Sequence, residues 1–240
     1  MKKLYEKNEI TFSLVWIGLY VVMSSIAENI SNNIGINKII NAPVTLIMTI
    51  IIAVFINKNG LTEKYGLGKI TIDFGKYLYF IPLLVLASTN LWNGVRMNMS
   101  VLEAILHVIS MLCVGFLEEI IFRGFLFKAM CKSNIKRAII VSSITFGIGH
   151  IVNLLNGADT FSTILQICYA VAIGFLFTII FLRSGNLWPC IITHGVINSL
   201  SAFAGERSDT FIIFTSIALI IISLAYSAFI LVKTKEQNNI

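Results

Sequence analysis

The sequence predicts an all-α, polytopic membrane protein, a bundle of about eight transmembrane helices with both termini in the cytoplasm. Three observations carry this. The 240-residue chain is 57% hydrophobic and only 12% charged, whereas soluble domains are roughly a quarter charged. Its apolar residues gather into runs near the length of about 20 that a bilayer crossing needs. Its cations are also distributed unevenly between successive loops, as the positive-inside rule requires.

Eight spans follow in order: 11–28, 39–57, 77–93, 101–127, 138–155, 161–182, 187–203 and 210–232. The fourth is long enough to tilt or to protrude from the bilayer. With a cytoplasmic N-terminus, 14 of the 18 Lys and Arg fall on the inside. Only Lys38, Arg96 and Arg207 lie outside, and Arg123 lies within a span. The N-terminal run ends in Ser25-x-Ala27 like a signal peptide, but its length and the spans after it favour a membrane helix. The longest loop, from Lys58 to Lys76, is cytoplasmic and is expected to include a short surface helix. No stretch is long enough for a separate soluble domain, so 1–240 reads as one integral, multi-pass domain of the cell membrane. The net charge of +6 is explained by topology-setting loops in contact with anionic lipid, and no nucleic-acid partner is expected. The four cysteines have no spacing that indicates a disulfide framework or a zinc ribbon. Trp16, Trp92 and Trp188 sit near expected span ends, as interfacial anchors do.

Ionisable residues inside a span are rare and point to function. Glu118 and Glu119 interrupt the fourth span together with Arg123, and all three histidines, His107, His150 and His194, fall in spans. The three aspartates fall in loops, which removes a two-aspartate protease mechanism. At about 1.5 Å per residue, Glu118, His150, His194 and Asn198 lie roughly 10–18 Å from the cytoplasmic ends of their helices. Four polar side chains from three helices thus share one layer. Glu119 and Arg123 are spaced i,i+4 and can pair, while Glu118 is rotated by about 100° and is free to point elsewhere. His194 and Asn198 share a face, as do Phe146 and His150. Gly147, Gly149 and Gly195 flank these positions, where small residues allow helices to approach. His107 is expected to be structural, Phe146 to pack beside the site, and Ser142 and Ser143 to serve helix packing and back-bonding.

The segment "EEIIFR" (118–123) resembles the EExxxR motif of the CPBP intramembrane protease family. "FGIGH" (146–150) resembles its FxxxH motif and "HGVIN" (194–198) its HxxxN motif. That family includes the CAAX prenyl endopeptidases and the bacterial Abi proteins linked to bacteriocin maturation and self-immunity. The resemblance covers about 115–200, within a motif-bearing core of about 101–203. It implies an intramembrane endopeptidase acting on a membrane-associated or lipidated peptide, CAAX-type or of bacteriocin or leader-peptide type. Its catalytic residues would be Glu118, Glu119, Arg123, His150, His194 and Asn198.

Peptide hydrolysis needs an activated water, a stabilised oxyanion and a proton for the leaving amine. Glu118 fits the general base, with His150 holding the water. His194 and Asn198 fit the oxyanion donors, and Glu119 with Arg123 a bracing ion pair. A metal version is equally open: Glu118, His150 and His194 form a possible His₂Glu zinc set, against a metal-free route through glutamate-activated water. HExxH is absent, which excludes the usual zincin helix. The site is expected to open toward the cytoplasmic half of the bilayer. Two other functions compete: a non-catalytic peptide-binding or bacteriocin self-immunity protein using the same pocket, and an ion-coupled transporter. The transporter reading lacks an inverted repeat or paired broken helices.

Overall fold

The computed structural model describes residues 1–68 and 81–234. The start of the expected third span, the later part of its preceding loop with Lys69, Asp73 and Lys76, and Lys235 lie outside them. All eight expected spans coincide with helix in the described residues, and six helices are long and apolar enough to cross a membrane. The protein is an integral, multi-pass membrane protein. Among the described residues there is no strand, only an isolated bridge between Val95 and Ala204 that joins two loops.

A short helix α1 (Lys2–Lys7) leads into α2 (Glu9–Ile34) through Asn8, whose side chain caps the new helix by accepting from Thr11 N. α2 outruns the expected span by six residues and stops at Gly35, φ 79°, a left-handed cap suited to glycine. Next come α3 (Asn41–Lys58), then α4 (Ile81–Ser88) with a 3₁₀ turn, Thr89–Leu91. Helix α5 (Val101–Glu119) begins with a capping box between Ser100 and Glu103. It continues as a π-helix, Ile120–Phe127, and a last α turn, Lys128–Cys131. α6 (Ile135–Gly149) gives way at His150 to the short α7 (Val152–Leu155). α8 (Thr160–Ser184) starts at the Asp159 cap, and α9 (Trp188–Leu200) has Pro189 in its first turn, where no amide donor is needed. A 3₁₀ turn, Ser201–Phe203, and α10 (Asp209–Lys233) complete the chain.

α5 and α8 hold the centre of the bundle, and the long hydrophobic stretches of α2, α3, α6 and α10 face outward. Helices without a solvent-driven core need close backbone contact, and two glycine pairings supply it. A Cβ on Gly115 would lie 2.6 Å from Gly195 N, so α5 and α9 touch main chain to main chain. A Cβ on Gly147 would lie 2.9 Å from Val171 N, which seats α6 against α8. Gly149 has no such role, since its nearest neighbour would be 3.9 Å away. Trp16 is not an interfacial anchor: it is buried and packs edge-on against Phe12 in the aromatic cluster of α1–α3. Trp188 matches the expectation better, being half-buried with its indole donating to Leu67 O.

Candidate active site

The motif residues converge where α5, α6, α8 and α9 meet. Glu119 and Arg123 are both fully buried, and Arg123 Nη1 donates to Glu119 Oε1 at 3.1 Å. The same oxygen accepts from His194 Nδ1 at 2.8 Å. One carboxylate oxygen therefore ties α5 to α9. The Arg123 guanidinium lies 4.0 Å from the ring centre of Phe146 and 5.9 Å from that of Phe177, a cation–π cradle that offsets part of its desolvation. Gly174 on α8 makes the space: a Cβ there would stand 3.1 Å from Arg123 Nη2 and 3.0 Å from Phe146 Cδ1. Phe146 thus does more than pack nearby, because it also meets His150 and His194 edge-on, at 5.3 and 5.6 Å.

The π-helix follows directly on the two glutamates. Widening a helix to i→i+5 re-aims its side chains and frees main-chain groups. Phe122 O accepts a 2.9 Å hydrogen bond from Ser142 Oγ of α6, which joins that segment to the helix carrying His150. Ser143 back-bonds to Ile139 O, as expected.

Glu118 points the other way, into a cavity of about 750 Å³ that His150, His194 and Asn198 also line. Its Oε2 lies 3.6 Å from His194 Nε2, and its Oε1 accepts a 2.5 Å hydrogen bond from the buried Tyr20 of α2. Since Glu119 accepts from Nδ1 of His194, the neutral imidazole presents a lone pair at Nε2, and the imidazolium presents an N–H. His150 is fixed likewise. Its Nδ1 donates to Phe146 O at 3.1 Å, which leaves Nε2 as acceptor. Asn198 is half-buried, and its main-chain oxygen, not its side chain, accepts from Ser201 Oγ and faces His107 Nε2. His107 stands apart from the chemistry: it bridges α5 to the end of α9 through Asn198 O and Ser201 Oγ.

Sequence reasoning brought four of the six predicted polar residues, Glu118, His150, His194 and Asn198, to one layer by depth, and Glu119 with Arg123 by pairing. It missed Tyr20, which lies on a helix with no motif and whose only signal was a tyrosine at bilayer depth. The cavity runs to the helix ends opposite the two termini, with exposed Gly157, Ala158, Ser201 and Arg207 at its edge. Nothing from residues 1–16 or from the described residues of the 58–76 loop lines it. Among the described residues no three His, Cys, Asp or Glu are grouped so as to hold a metal ion.

Fold and site together define a multi-pass membrane protein with a polar, water-compatible centre at bilayer depth. Residues 100–200 match the family described as type II CAAX prenyl endopeptidase Rce1-like. That match, which spans the three motifs, supports the CPBP/CAAX protease family and suggests a protease hydrolase. No curated protein and no solved structure matches the chain.

Proposed function

We propose that the protein is an intramembrane endopeptidase that hydrolyses a membrane-associated or lipidated peptide through a water activated by Glu118. The observation that carries this reading is the division of labour between adjacent glutamates. Glu119 is wholly buried and committed to Arg123 and His194. Glu118 is turned into the cavity with one oxygen directed at His194 Nε2.

Water held between Glu118 and His150 Nε2 loses its proton to the Glu118 carboxylate while its oxygen adds to the scissile carbonyl. The resulting oxyanion accepts from the Asn198 side-chain amide and from the Nε2–H that His194 presents in its imidazolium form. Glu118 then returns its proton to the departing amine as the C–N bond breaks, leaving a carboxylic acid and an amine. Preorganised donors of this kind are each worth about 2.7–4 kcal/mol in transition-state binding.

A comparison of peptide termini in membranes containing wild type or Glu118→Gln at equal abundance tests the proposal. New termini confined to the wild type are the expected result. Matching profiles, with peptide binding intact in the variant, would instead leave a recognition or immunity protein that uses the same pocket.

A further inference from the structure

We propose that the cavity is entered from the extracytoplasmic face, and that its peptide substrate is a segment presented at that face or spanning the outer half of the bilayer. The inference rests on the endopeptidase reading for the word substrate. The side of entry stands on two separate observations. The distribution of cations places both termini and the 58–76 loop inside. The cavity walls come from the other ends of the helices: Ser24, Ser25 and Glu28 of α2, Lys38 before α3, Asn90 after α4, and the 153–162 segment between α7 and α8.

The composition of these walls fits a watered peptide channel. Polar groups at bilayer depth are tolerated where they line water or protein, and polar side chains stand on both walls of this passage among apolar ones. Asn153 Nδ2 donates to Gln166 Oε1 at 2.9 Å on one wall. Lys38 binds both oxygens of Glu28 at 2.7 and 2.8 Å on the other. Ser24 Oγ, Ser25 Oγ and Asn156 Oδ1 are buried and lack a partner in the protein. All three belong to cavity-lining residues. Unsatisfied buried polar atoms call for water or a ligand, and the amides of an extended peptide supply both donors and acceptors. At about 750 Å³ the space lies within the roughly 300–1,000 Å³ of typical ligand sites. Hydrolysis also needs water at Glu118, and this cavity connects Glu118 to that exposed edge.

Single cysteines at Ala158 on the edge, at Ser25 and Gln166 inside, and at Lys132 as a cytoplasmic control would be treated with a membrane-impermeant maleimide in intact cells, with wild type as background. The expected result is labelling several-fold above wild type at Ala158→Cys and at one or both of Ser25→Cys and Gln166→Cys. Lys132→Cys should label only after permeabilisation. Labelling of Ala158→Cys with both interior positions silent would overturn entry through this mouth. Labelling of all three only after permeabilisation would overturn the orientation. Labelling reports access whether or not the protein cleaves anything. Outside access combined with matching terminus profiles for wild type and Glu118→Gln would therefore sink the protease reading alone.

Discussion

The phenol of Tyr20 donates a 2.5 Å hydrogen bond to Glu118 across 98 residues of sequence. It fixes Oε1 and leaves Oε2 facing His194. Tyr20→Phe keeps the ring in its packing and deletes only the donor. A hydrogen bond to a charged group is worth about 1.5–3 kcal/mol, so kcat/KM should fall roughly 10- to 100-fold. Melting temperature in detergent should fall by several degrees at most, about 2–4 °C per kcal/mol lost for a chain of this size, with the protein still folded. An unchanged rate would show that Glu118 is held without Tyr20.

The buried Glu119–Arg123 pair should behave as a unit. Arg123→Ala leaves a carboxylate uncompensated where no solvent reaches, a loss of about 3–5 kcal/mol. Joint replacement, Glu119→Gln with Arg123→Met, removes both charges and should recover much of the stability. Activity should not return, because His194 loses its carboxylate acceptor. Thermal unfolding and peptide cleavage on the single and double variants would measure this, and additive losses of stability would exclude coupling.

Much of this was legible beforehand because bilayer physics constrains the answer. Hydropathy marks spans, loop cations orient them, and a charge at depth must have a reason, so Glu118, Glu119, Arg123, His150, His194 and Asn198 stood out. What stayed hidden depends on packing between distant segments. Tyr20 has no charge and no motif. Trp16 turned inward, where its ring packs edge-on against Phe12. The π-helix after Glu119 has no composition that sets it apart from an α-helix. The end of the bundle toward which the cavity runs was not legible either, because depth along a helix gives a residue's level but not the direction in which neighbouring helices part. The short surface helix expected within the Lys58–Lys76 loop is not seen as far as Gly68, where the chain after α3 is a series of turns, and the rest of that loop lies outside the described residues.

The glycine contacts predict a graded series. Gly115→Ala would push a methyl group to within 2.6 Å of Gly195 N, where backbone cannot yield. α5 and α9 must separate, and the 2.8 Å contact between Glu119 and His194 goes with them. Stability and cleavage should both drop. Gly174→Ala meets Arg123 Nη2 and Phe146 at 3.0–3.1 Å, so a smaller loss is expected. Gly149→Ala should be tolerated in unfolding assays, with nothing nearer than 3.9 Å. A Gly115→Ala variant as stable and active as Gly149→Ala would refute the crossing.

The end of the bundle that carries the N-terminus offers a pH test away from the site. Lys64 Nζ reaches Glu9 Oε1 at 2.8 Å and the Tyr5 hydroxyl at 2.5 Å, clasping the loop after α3 to α1 and α2. Burial disfavours charge on Lys64, but these hydrogen bonds outweigh it and hold its pKa above the ordinary 10.5. A raised pKa in the folded state means the clasp stabilises fully below the unfolded value and fades as pH climbs through the folded one. Wild type should therefore keep the contribution of Lys64 from neutral pH to about 10 and lose it above. Lys64→Met should melt lower near neutrality, and the gap to wild type should narrow in alkali. Melting curves across that range decide the matter: a gap that widens with pH would reverse the sign and reject the clasp.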